Sequence, residues 1–170
     1  MVGGTVLVDT NVILEAHRAS CWRAMRGGHR LETVETCVME TQTGAQNRRP
    51  EQRIDEATLR ADLKAVHAVT DRERAMAFAR DEFLGSLDDG ERDLWSHALA
   101  RPDTWVLCGP DRASLRFGVR LGLRDRLVAL EALLDAVGHR PKAPLRSAYT
   151  TAWQRDALAR IALEEGSRPA

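Results

Sequence analysis

Apolar positions in this chain recur with two periods. Short unbroken runs, "TVLV" (5–8) and "TWVLCG" (104–109), are too short for helices and predict fully buried strands. The β-branched, alternating "HRLETVETCV" predicts a second strand near 30–35, and "KAVHAV" (64–69) a third. Between them the spacing turns helical: from Asp9 to about Arg26, from about Thr36 toward Gln46, and over 56–62 with Asp55 as cap. "QNRRPEQR" (46–53) is a polar loop punctuated by Pro50. Thr70 followed by Glu73 is a capping signal for a helix running through "TDRERAMAFARDEFLGSL". Asp88 or Asp89 opens a further helix, and another spans about Asp111 to Leu121. "RLVALEALLDAVG" predicts a short strand and then a helix stopped at Gly138. "PKAP" (141–144) is a linker, and 146–165 forms a last helix with Trp153 on its apolar face.

Strands alternating with helices imply a parallel sheet covered on both faces. The expected fold is therefore α/β: three α/β/α layers around a central parallel sheet of four to five strands, plus a C-terminal helix. One domain is expected over 1–140, with 141–170 a linker and a helix packed on it. The length of 170 residues suits one such unit.

In open α/β sheets ligands bind beyond the carboxyl ends of the strands. Asp9 ends the first strand and Asp111 follows the fourth. Glu40 lies in the first turns after the second strand, and Glu91 in the first turn of the helix opened by "LDDGE". Placed there, Asp9 needs no burial. Each acid has a plainer role as a helix cap or a first-turn partner of the helix dipole, and Asp88, Asp89 and Asp93 compete with Glu91. Four acids pointing at one end of one sheet repel unless a positive charge holds them, and Mg²⁺ or Mn²⁺ suits an all-oxygen donor set best.

Composition narrows the picture. An apolar fraction of 44% and a charged fraction of 29% are those of an ordinary globular chain. No stretch approaches the ~20 apolar residues of a membrane span, and no signal-peptide layout opens the sequence. Cys21, Cys37 and Cys108 match no metal spacing and cannot all pair, which points to a reduced, cytoplasmic protein. The five histidines, 17, 29, 67, 97 and 139, are scattered and suggest no zinc site, and the four tryptophans are expected in the core. Net charge is zero but uneven: residues 1–111 hold 14 basic against 19 acidic residues, and residues 112–170 hold 11 against 6. Arg112, Arg116, Arg120 and Arg124 recur every four positions, one stripe on the helix beside Asp111. Such a stripe either tracks phosphates or is a solvated, ion-paired face.

"VLVDTNVIL", "CVMETQTG", "LDDGERDLWSHALA" and "WVLCGPDRASLRFGVRLGL", in this order over residues 5–125, resemble the motifs of the PIN-domain nucleases. The resemblance implies the PIN-like fold and activity as an Mg²⁺- or Mn²⁺-dependent endoribonuclease. Asp9, Glu40, Glu91 and Asp111 then correspond to the metal-binding, catalytic acids, and Asn11 to the polar residue that steadies them. RNA or another nucleic acid is the implied substrate, leaving 5′-phosphate and 3′-hydroxyl ends. Arg112, Arg116 and Arg120 would lie along it. A small antitoxin protein or a second copy of the chain are the implied protein partners. Gly109 departs from the family, which carries Thr or Ser two places before the fourth acid. That departure sustains an alternative: a silent PIN-like module that binds nucleic acid or a protein without cutting. A phosphatase of the haloacid-dehalogenase type also starts from an Asp after the first strand, but needs a second Asp where this chain has Asn11.

Overall fold

The computed structural model describes residues 4–43 and 53–166. Strands β1 (Thr5–Val8), β2 (Arg30–Val34), β3 (Ala65–His67), β4 (Trp105–Cys108) and β5 (Leu127–Val128) form one sheet in the order β3-β2-β1-β4-β5. Every pairing is parallel. The chain steps outward from β1 to β3, then crosses back to β4 and β5. The direction therefore reverses between β1 and β4, where a doubly wound sheet opens its crevice. Asp9 and Asp111 follow these two strands.

Among the described residues the helices are α1 (Thr10–Arg18), α2 (Trp22–Gly28), α3 (Glu35–Thr43), α4 (Glu56–Asp62), α5 (Asp71–Arg80), α6 (Asp89–Ala100), α7 (Arg112–Arg120), α8 (Leu130–Ala136) and α9 (Thr151–Gly166). Alternation along the strands assigns them to layers. Val6 and Val8 pack with Val12 and Ile13 of α1, Met25 of α2, Leu59 of α4 and Leu130 of α8. Leu7, Val34 and Leu107 pack with Ala77 of α5, Trp95 of α6 and Phe117 of α7. The fold is thus three-layered α/β/α around five strands. Trp95 centres the second layer, its ring edge-on to Phe117 at 5.2 Å and its Nε1 donating to Ser114 Oγ at 2.8 Å. Helix α9 lays Ala157, Leu158 and Ile161 on Leu115 of α7, so the C-terminal helix joins the same body.

Boundaries differ from the periodicity in three places, one being the last helix, expected from 146 but starting at Thr151 behind a separate 3₁₀ turn at 147–149. The helix expected over 9–26 is broken after Arg18, because Ser20 takes a left-handed conformation (φ 56°) that no α-helix continues through. The helix expected to run from Asp71 to Leu87 ends at Arg80. Asp81 is extended there, its side chain accepting from Phe83 N at 2.9 Å and starting a 3₁₀ turn at 82–86. Caps follow the sequence signals more closely: Asp55 caps α4, Thr70 and Glu73 form the capping box of α5, and Asp88 rather than Asp89 caps α6. Gly138 closes α8 with φ 66°. The expected loop at 46–53, apart from Arg53, and the end of the helix toward Gln46 lie outside the described residues.

Candidate metal centre

The end of β1 delivers Asp9 into the crevice, and the chain turns there into α1. Asp9 is buried, only 3% exposed, contrary to the expectation that a strand-end acid needs no burial. The adjoining strand end closes over it: its backbone N–H bonds Cys108 O at 3.1 Å, and the backbone at Gly109 runs against its side chain. Asp9 also caps α1, Oδ2 accepting from Asn11 N at 3.1 Å. Asn11 serves Asp9 through this backbone donor, while the residue itself is exposed.

Glu40, on the last turn of α3, is fastened at both oxygens. Thr10 Oγ1 donates to Oε2 at 2.5 Å, and Gly90 N donates to Oε1 at 3.0 Å. The carboxylate lies so tightly on Gly90 that any Cβ there would collide with it. Thr10 and Gly90 thus tie α1, α3 and α6 together around one acid. Both contacts join residues at least thirty positions apart, so no local pattern betrays them.

Four acids crowd the start of α6, and their partners separate them. Asp88 is the cap, accepting from Glu91 N at 2.8 Å. Asp89 is exposed and pairs with Arg92. Asp93 is buried but bound by Arg74 Nε at 2.6 Å and Thr36 Oγ1 at 2.5 Å. Glu91 alone is buried with an oxygen, Oε1, that meets no hydrogen-bond partner. Asp111 stands opposite at the head of α7, exposed, its Oδ1 accepting from Ala113 N at 2.6 Å and Ser114 N at 3.3 Å.

The electrostatics set this group apart. Five carboxylates are buried among the described residues: Asp9, Glu15, Glu32, Glu91 and Asp93. Glu15, Glu32 and Asp93 each carry an arginine, and those hydrogen bonds outweigh burial and hold all three below the ordinary range. Asp9 and Glu91 form no ion pair among the described residues. Burial first, then Asp88 and Glu40, push Asp9 up to about 7 despite the Asn11 N–H. Burial first, then the charges of Asp111, Asp9 and Asp88, push Glu91 up to about 9. An uncompensated buried carboxylate costs several kcal/mol. The orphaned Glu91 oxygen, its coupling to Asp9 and Asp111, and an all-oxygen donor set suit a hard divalent cation in kind. The three acids do not bring their ligand oxygens within 4.8 Å of one another, so an ion would have to draw them in. Asp88, regarded from sequence as a candidate cap and a competitor of Glu91, shares their field.

The arginine stripe of α7 meets other partners. Arg116 pairs with Glu164 and with Glu165 at 2.5 Å, and Arg120 pairs with Asp81 at 2.6 Å and Glu165 at 2.9 Å. These two bind α9 and the 3₁₀ turn to α7. Arg112 lies over the Trp153 ring at 5.8 Å, and Arg124 is exposed.

His67 and His97, distant in sequence, stack at 4.0 Å beside Glu32 on the α5–α6 face. Glu32, His67 and His97 offer three ligand atoms within 4.8 Å of one another. Their centre already holds a cation: Arg101 Nη1 lies 2.6 Å from Glu32 Oε2, 3.1 Å from His97 Nε2 and 3.5 Å from His67 Nε2. Arg101 also binds Asp103 at 2.7 Å. A metal would have to expel a guanidinium held by two carboxylates, so this cluster reads as a buried ion-pair network.

No protein family, curated protein or solved structure matches the chain in comparisons with each. No helix among the described residues is long and apolar enough to cross a membrane.

Proposed function

We propose that the chain is a metal-dependent nuclease of the PIN type, hydrolysing phosphodiester bonds of RNA. One observation carries the reading. Of the five buried carboxylates, the two without an arginine, Asp9 and Glu91, lie at the switch point of the sheet with Asp111. Natural folds keep such unpaired buried acids where something else is to be bound.

Asp9, Glu91 and Asp111 are the acids that would hold Mg²⁺ or Mn²⁺. The ion would acidify a water and offset charge on the scissile phosphate, so no side-chain nucleophile is required. The chain supplies position. Asp9 is fixed by β1 and the first turn of α1, Glu91 by its cap Asp88, and Asp111 by two backbone N–H groups of α7. Glu40, held by Thr10 and Gly90, cannot swing, and is suited to orient a water rather than to follow the ion. Burial around Asp9 and Glu91 lowers the local dielectric and strengthens each of these interactions.

The test is cleavage of a 5′-labelled single-stranded RNA by wild type and Asp9→Asn with Mn²⁺ or Mg²⁺. Asp9→Asn keeps the cap geometry, so the expected result is a folded protein with cleavage reduced at least a hundredfold. Cleavage that persists in EDTA, or in Asp9→Asn, refutes the reading.

A further inference from the structure

On the α1 side of the acids a cavity of about 420 Å³ opens to the surface, lined by Asn11, Leu14, His17, Arg53, Arg146 and Tyr149. Its volume is in the ~300–1,000 Å³ range of ligand pockets. It adjoins the candidate metal centre: Asn11 bonds Asp9 through its backbone. Burial first, then Glu15 and Asp9, push the Tyr149 hydroxyl up to about 12, so it stays a neutral donor.

One part of the lining is cationic. Arg53 is exposed and forms no ion pair among the described residues. The Arg146 side chain is 69% exposed, its Nε 3.8 Å from Glu15. Glu15 itself is fully occupied, accepting from Arg18 at 2.6 Å and 2.8 Å and from Arg146 N at 2.8 Å. It anchors the wall and takes up Arg18, which also lines the cavity, while the exposed Arg146 guanidinium keeps only its looser 3.8 Å pairing with Glu15. The other part is aromatic: Tyr149, and His17 stacked on Trp22 at 4.9 Å. Cations beside rings are what a nucleotide asks for, its phosphate on arginine and its base on a flat side chain. By contrast the α7 stripe has given Arg116 and Arg120 to ion pairs.

We propose that this cavity seats one nucleotide of single-stranded RNA next to the bond to be cut, with its phosphate on Arg53 and Arg146 and its base on Tyr149 and His17. The assignment rests on the nuclease reading and names the path of its substrate. It makes the strand approach across α1 and the segment before α9, not along α7.

The experiment follows anisotropy of a 5′-fluorescein-labelled uridine dodecamer in EDTA, where no cleavage occurs, across a series of salt concentrations. Arg53→Ala/Arg146→Ala keeps the backbone bond to Glu15 and is expected to weaken binding at least tenfold. The slope of log affinity against log salt should flatten by about 0.7, the value that belongs to one single-strand phosphate. Tyr149→Leu should lose at least about fivefold with the slope unchanged, since stacking carries no charge. Arg72→Ala/Arg80→Ala on α5 removes the same charge from the opposite face and should bind like wild type. Melting curves confirm that each variant is folded. Failure of wild type to bind the dodecamer, full affinity in Arg53→Ala/Arg146→Ala or in Tyr149→Leu, or equal loss in the α5 control overturns the proposal. Mn²⁺-induced stabilisation, measured on the same proteins without RNA, reports on the metal centre separately. If it is present while RNA binding ignores Arg53 and Arg146, only the cavity assignment falls; if it is absent, the nuclease reading falls.

Discussion

Glu91→Gln should stabilise the metal-free protein, an unusual outcome for a change in a buried helix turn. Glu91 has an ordinary pKa of 4.5 and is pushed to about 9 in the fold, chiefly by burial and then by Asp111, Asp9 and Asp88. At pH 7 it is therefore ionised in the unfolded chain and protonated in the folded one. Each pH unit above 4.5 costs about 1.4 kcal/mol, so roughly 2.5 units cost ~3 kcal/mol. The sign follows from the raised value: stability is greatest below about 4.5 and falls as pH climbs toward 9. Glutamine removes the titration but leaves a buried amide short of a partner, which costs ~1 kcal/mol. The net gain near pH 7 is about 2 kcal/mol, or ~4–8 °C in Tm for a domain of this size. At pH 5 the proteins should differ by less than about 1 kcal/mol. Thermal unfolding by circular dichroism in EDTA, at pH 5 and pH 7, measures both numbers. With Mn²⁺ at about a hundred times its Kd the wild type should gain ~2.7 kcal/mol and overtake the variant. A variant that melts below wild type in EDTA at pH 7, or whose advantage is the same at pH 5, refutes the claim that Glu91 costs the fold the protonation of its carboxylate.

Glu32 should behave in the opposite sense. Burial would raise its pKa, but hydrogen bonds from Arg101, Arg30 and His67 win and hold it at about 2, against an ordinary 4.5. Its contribution is present above about 4.5 and lost as pH falls toward 2, so Glu32→Gln should flatten the decline of Tm between pH 5 and pH 2. An unaltered acid limb would place acid unfolding in other groups. Gly90→Ala removes a helical glycine and on propensity alone should not unfold α6, yet its methyl must displace the Glu40 carboxylate. Mn²⁺-dependent RNA cleavage should fall at least tenfold with Tm nearly unchanged, and full activity would show that the Glu40 clamp is dispensable.

What was legible in the sequence was whatever depends on neighbours along the chain. Unbroken apolar runs fixed β1 and β4, and Asp55, Thr70 and Gly138 punctuated their helices as their chemistry requires. The helix break at Asp81 was not legible, because its carboxylate is held in part by Arg120, 39 positions away. A four-residue spacing placed Arg116 and Arg120 on one face, but periodicity says nothing of what that face meets. It meets Glu164 and Glu165 of α9. Glu32 sits in mid-strand among apolar neighbours, and only the fold brings Arg101 and two histidines to it.

The same reasoning explains why a candidate site could be located from sequence before its members could be chosen. Strand ends and helix starts confine the acids to one edge of the sheet, but at the head of α6 they leave Asp88, Asp89, Glu91 and Asp93 equivalent. Partners remove the degeneracy: Asp88 caps the helix, Asp89 meets Arg92, and Asp93 meets Arg74 and Thr36. In an arginine-rich chain most acids are within reach of a guanidinium, so the informative acid is the buried one that has been kept from finding it. The lack of that pairing leaves no mark in local pattern, because it follows from where Arg74, Arg92 and Arg101 do go. Glu91, enclosed beside Asp9 with one oxygen unanswered, is the residue at which the fold gives up stability, and the metal reading accounts for why it does so.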